Sequence, residues 1–145
     1  MIRIICFGRI KEKYLEDLIT DYQKRISKYH KIEIIELKDT NDLEEEARTL
    51  KKYLHPQDYV VALDLKGEKT TSVKLASFIE SSFNYYSTIT FIIGSSNGLD
   101  DSIKKESHKI LSFSDLTFPH GLFRGLLLEQ IYRSFKIINN EKYHK

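Results

Sequence analysis

Tyr59-Val-Val-Ala-Leu-Asp-Leu65 is apolar or aromatic at every position but one. A strand with one wet face alternates, so a nearly unbroken run of this kind reads as a strand covered on both faces. Thr88-Ile-Thr-Phe-Ile-Ile93 reads the same way, and Ile2-Arg-Ile-Ile-Cys-Phe7 reads as a further strand. Strands covered twice need helices on both sides, and the stretches between them supply helices. Tyr14 to Tyr29 carries Leu15, Leu18, Ile19, Tyr22 and Ile26 at a helical period. Asp39 to Asn41 offers caps before a charged helix from Leu43 to Leu54, stopped near Pro56. Thr70 or Thr71 caps a helix running through Phe83, and Asp100 and Asp101 suit the start of a short one. Leu122 to Ile138 is the longest, while Ile32 to Leu37 and Ile110 to Phe113 complete the strands. The alternation predicts an α/β fold, a mostly parallel sheet flanked by helices, in a single domain over residues 1–145.

Composition narrows the function classes. With 41% hydrophobic and 30% charged residues, the chain is too apolar for disorder. Its formal net charge of +2 provides no global funnel for nucleic acid, so such a partner must be met by a local patch. The one cysteine, Cys6, sits in an apolar run and reads as a small hydrophobe, compatible with a reducing compartment. No run is long enough for a signal peptide or membrane span, so a soluble cytoplasmic protein is expected. No H-E-x-x-H, C-x-x-C, G-x-S-x-G, G-x-G-x-x-G or P-loop pattern is present, and no metal site is expected.

In open parallel sheets ligands sit beyond the carboxyl ends of the strands. Three such ends are chemically distinctive: Leu63 to Gly67, Gly94-Ser-Ser-Asn-Gly98, and Phe113 to Pro119. Glycine at a strand end lets backbone N–H groups approach a ligand, although Gly94 to Gly98 alone is equally a tight turn. Ser112 to His120 is too polar for a core strand, and Pro119 stops regular structure. Its backbone groups are therefore free to bind a flat group such as a purine, unless Ser114 or Thr117 simply bonds locally. On the long helix Phe123, Leu127, Ile131, Phe135 and Ile138 form a core stripe, widened by Leu122 and Leu126 toward a second subunit. Glu129 and Arg133 are an i,i+4 pair. Arg124, Arg133, Lys136, Lys142, His144 and Lys145 make this the most basic region, suited to RNA phosphates or else merely a solvated face. Chain ends usually fray, so a tail of Tyr143-His144-Lys145 points to a site.

Taken together, Ile4 to Tyr14, Ala62 to Glu68, Phe91 to Leu99, Leu111 to His120, Leu127 to Arg133 and Tyr143 to Lys145 resemble the bacterial large-subunit ribosomal RNA methyltransferase H family. This is a SPOUT-type fold with a C-terminal trefoil knot. The resemblance implies S-adenosylmethionine as methyl donor, N3-methylation of a pseudouridine in 23S rRNA on the assembled ribosome, and a homodimer. By position, Leu63, Gly94, Phe113, Ser114, Asp115, Leu116, Thr117 and Phe118 match the family's donor-binding segments. Arg133, Tyr143 and His144 match residues near the methyl-transfer centre, with His144 a candidate proton carrier, Tyr143 a base-orienting ring and Arg133 an anion stabiliser. The chain departs from the family at Ser95, usually a second glycine, and at Gly121 and Gly125, usually larger residues. Two alternatives stand beside this reading: a methyltransferase of the same fold acting on tRNA, and a non-catalytic dimeric RNA-binding module.

Overall fold

The computed structural model describes residues 1–145. Five strands, β1 (Ile2–Phe7), β2 (Ile32–Leu37), β3 (Tyr59–Lys69), β4 (Ile89–Ile93) and β5 (Lys109–Ser112), form one sheet. Its order is β2-β1-β4-β3-β5 and every pairing is parallel. This order is compatible with the knot that the resemblance implies. Successive side chains of a strand point to opposite faces. Ile2, Ile4, Cys6, Val61, Leu63, Phe91 and Ile93 accordingly enter one buried cluster, and Ile5, Phe7, Val60, Ala62 and Ile92 another. The first cluster is closed by α1 (Lys13–Ile26), α3 (Ser72–Ser82) and α5 (His120–Ile138). The second is closed by α2 (Leu43–Lys51) and α4 (Asp101–Glu106).

Local chemistry sets the element ends. Thr71, not Thr70, caps α3 through its hydroxyl, which accepts from Lys74 N–H. Asp100 caps α4 from outside the helix. The cap of α2 is Asp42, one residue beyond the expected Asp39–Asn41, and it accepts from Glu44 and Glu45 N–H. Strand β3 runs four residues past Leu65. Its pairing with β5 breaks between Leu63 and Glu68, then resumes as Glu68 opposite Leu111 and Lys69 opposite Ser112. Gly67 makes that return possible, because a Cβ there would lie 2.6 Å from the Leu111 carbonyl carbon.

The long helix packs differently from its stripe. Leu127, Ile131 and Phe135 are buried as expected, but so are Arg124, Leu128, Tyr132 and Ser134, while Phe123 and Ile138 are half-buried. Gly121 and Gly125 face α1. A Cβ at Gly121 would lie 2.8 Å from Leu15 Cδ1, and one at Gly125 would lie 2.6 Å from Leu18 Cδ2. These departures therefore seat α5 on α1 within the chain. Arg124, between them, is only 3% exposed. Its guanidinium donates to Glu36 at 2.6 Å and to the Phe7 and Gly8 carbonyls. It is an internal tie and not part of a phosphate-facing patch, because the two glycines draw it under the helix.

Candidate active site

The carboxyl ends of β3, β4 and β5 enclose a cleft of about 230 Å³. Leu63, Asp64 and Leu65 come from β3, Gly94, Ser95, Ser96 and Gly98 from the turn after β4, and Phe113, Leu116, Thr117 and Phe118 from the segment after β5. His120 and Phe123, at the start of α5, complete the wall. Six of the eight expected donor-binding residues thus line one hollow: Leu63, Gly94, Phe113, Leu116, Thr117 and Phe118. Ser114 faces a neighbouring cavity that shares Phe113 and Phe118 with the cleft. Asp115 points outward to Lys69, 2.7 Å away.

Two backbone features give this hollow its chemistry. The turn after β4 is tight: Ser95 and Gly98 exchange backbone hydrogen bonds of 3.2 and 2.8 Å, and Gly98 takes a φ of +86°. A Cβ at Gly94 would lie 2.5 Å from the Gly98 carbonyl oxygen, so no larger residue fits that turn. From Ser114 to Phe118 the one backbone N–H with a partner in the chain is that of Leu116, on Ser114 Oγ. The remaining donors and acceptors, beside apolar walls, suit an adenosyl group: a flat base with polar edges, and a ribose.

Arg133, Tyr143 and His144 form a second cluster. Arg133 Nε and Nη2 donate to Glu129 Oε1, and Tyr143 Oη donates to the same oxygen at 3.1 Å. Arg133 Nη1 lies 3.1 Å from His144 Nδ1. A guanidinium has no acceptor, so Nδ1 must accept and the imidazole carries its proton on Nε2. Glu129 raises Arg133 above the ordinary guanidinium range, chiefly by hydrogen bonding. Burial, aided by the Tyr22 hydroxyl and Glu129, raises Tyr143 well above the usual phenol range, so it works as a donor. Tyr143 also packs edge-on against Tyr132 with centroids 5.0 Å apart and lies under the Arg133 guanidinium. Lys136 is engaged by Glu141 at 3.0 Å and by the rings of Tyr29 and Tyr132. Of the basic region, only Lys142 and Lys145 remain as exposed cations without an ion pair.

No member of this cluster lines the cleft. Arg133 is thirteen residues along α5 from His120, which at 1.5 Å per residue is about 20 Å. Asp64, Ser112 and His120 fall in segments that the sequence marked as ligand-facing, whereas Phe123 was read only as part of the core stripe and Glu46 behind the turn was overlooked. Glu46 had a signal: Leu43, Glu46, Ala47 and Leu50 share one helical face, so a carboxylate stands on an apolar stripe.

A family model described as a predicted SPOUT methyltransferase matches residues 1–144. The ribosomal RNA large subunit methyltransferase H of Caldicellulosiruptor saccharolyticus is 43% identical over 154 residues, covering all of both chains. The enzyme of the same name from Streptococcus uberis is 43% identical over 157 residues, covering 99% of each. The chain belongs to the ribosomal RNA large subunit methyltransferase H family, within the SPOUT methyltransferases. It is a methyltransferase that uses S-adenosylmethionine. Among solved structures, a probable methyltransferase from Bordetella pertussis superimposes with a TM-score of 0.59 at 10% identity, over 92% of this chain and 93% of that one. That likeness speaks for the SPOUT fold alone. Membership of the methyltransferase H family thus accounts for this chain's fold and its methyl donor.

Proposed function

We propose that this protein methylates N3 of a pseudouridine in 23S rRNA on the assembled ribosome, in the cytoplasm, as a homodimer. The observation that carries the proposal is the Arg133–Tyr143–His144 cluster, built by a tail that folds back instead of fraying. The cleft residues Leu63, Gly94, Phe113, Leu116, Thr117 and Phe118 would hold S-adenosylmethionine, and Ser114 and Asp115 would shape the segment that covers it. The segment after β5 would be the knotted one. When bound, the cofactor supplies a methyl group activated by a sulfonium. The protein's task is then to present a ring nitrogen in line and to lower its proton affinity. Arg133 faces the imide as a fixed cation and stabilises the anion left when N3 gives its proton to a solvent water. With Nδ1 engaged, His144 offers Nε2–H to a ring carbonyl. It is a positioning donor in this arrangement and accepts a proton only on release from Arg133.

The separation of about 20 Å along α5 supports a reading in which the two clusters that meet belong to different chains of a dimer, since a methyl cannot cross that distance. Each tail then serves its partner's cleft. Labelled S-adenosylmethionine offered with intact ribosomes, naked rRNA and tRNA tests the reading. Label in 23S rRNA only when ribosomes are present supports it. Label in tRNA, or in nothing despite donor binding, overturns it.

A further inference from the structure

The turn that lines the cleft after β4 is held from behind by a carboxylate. Ser95, where the family usually has glycine, is 3% exposed, and its Oγ donates to Glu46 Oε1 at 2.8 Å. Glu46 is likewise 3% exposed. Its second oxygen accepts from the backbone N–H of Thr40 at 2.8 Å. One buried side chain therefore ties the β2–α2 connection, through the fourth residue after the Asp42 cap, to the end of β4. Its place in the first turn of α2 suits a negative charge, because the helix N-terminus is the positive end of the backbone dipole. A buried carboxylate oxygen stripped of its donor is costly, so each partner holds the other in place.

We propose that Glu46 and Ser95 form a strut that pre-organises the Gly94–Gly98 turn for S-adenosylmethionine, and that both are positioning residues for the donor. The proposal rests on the cleft being the donor site. Ser95 presents its backbone to the hollow while its hydroxyl points away into the strut, so a residue larger than the usual glycine is accommodated without filling the cleft. A turn fixed before binding needs no ordering when the ligand arrives, which is the source of the affinity gain.

Calorimetry with S-adenosylmethionine and steady-state kinetics on the dimer test this. Glu46→Ala and Ser95→Ala are each expected to weaken donor binding by about tenfold, with KM for the donor rising more than kcat falls. The double variant should be no weaker than either single one, because the two residues act as one unit. Glu46→Gln is expected to recover most of the affinity: its carbonyl can accept from Thr40 and its amide can donate to Ser95 Oγ. Additive losses, or wild-type affinity in either alanine variant, overturn the strut. Loss in Glu46→Gln equal to that in Glu46→Ala also overturns it, since charge and not hydrogen bonding would then be responsible. Amide exchange at Ser95 and Gly98 gives a readout that does not depend on the cofactor. Faster exchange in Ser95→Ala supports the strut and unchanged exchange refutes it, even if the wild-type protein binds no donor and the cleft assignment itself falls.

Discussion

At the scale of single residues, the tail's chemistry follows from which atoms are already engaged. Arg133 spends three of its donors on Glu129 and His144, so replacing it frees the imidazole and leaves Glu129 without its cation. Arg133→Ala and His144→Ala are expected to lower methylation of ribosomes at least about tenfold while donor affinity stays within about twofold. Radiolabel incorporation and calorimetry measure the two separately. Tyr143 makes a pH prediction. Its phenol is raised, so the folded state holds the proton more tightly than the unfolded chain does. The stabilisation is therefore complete below an ordinary phenol pKa of about 10 and is lost as pH rises beyond it. Ultraviolet absorbance should show Tyr143 ionising late, beside Tyr59, whose phenol burial also raises, and Tyr22→Phe should bring Tyr143 earlier. Cys6 behaves similarly: burial, opposed by Arg124, pushes its thiol up to about 11. Iodoacetamide at pH 8 should leave it unmodified until the protein unfolds.

At the scale of elements, the strands were easy to read from sequence and their extensions were not. Ile2 to Phe7 and Ile89 to Ile93 are apolar on both sides because α1, α3 and α5 cover one face and α2 and α4 the other. Lys66 to Lys69 belongs to β3 just as truly, yet its exposed polar residues carry no periodic signal and only the bulge at Gly67 returns it to β5. The cap of α2 was misplaced by one residue, since Asp39, Asn41 and Asp42 are equivalent in type and only geometry selects among them. Arg124 misled because a charge beside glycines looks solvated until the helix is known to sit tightly on α1. The glycines divide by what their missing Cβ would meet. Gly94→Ala drives a methyl into the Gly98 backbone and should cost about 2 kcal/mol or more, with loss of donor binding. Gly125→Ala meets only the end of Leu18, which can move, and it gains about 1 kcal/mol of helix propensity. Thermal unfolding should leave Gly125→Ala within about 1 kcal/mol of the parent.

For the whole molecule, the prediction concerns partnership. Leu116 is exposed at the cleft rim, so Leu116→Arg should fold normally while setting a cation against the donor's sulfonium. His144→Ala should bind donor but transfer at least about tenfold more slowly. If tails serve partner clefts, mixing these two impaired variants in equal amounts and allowing exchange should restore activity to about a quarter of the parent level. Half of the dimers are then mixed, and each has one intact site. Activity that stays at the level of the separate variants would place cleft and tail in the same chain. The six motif blocks located both clusters in the sequence, but their separation along α5 is a property of a folded helix that no motif spells out. The packing of Tyr143 against Tyr132 and Tyr22 has a practical side as well. The chain has no tryptophan, so its intrinsic emission comes from tyrosines, three of which cluster where the tail lands. Undocking would move one ring from a carboxylate-bonded niche into water, and the unlabelled protein would report in light whether its own tail is seated.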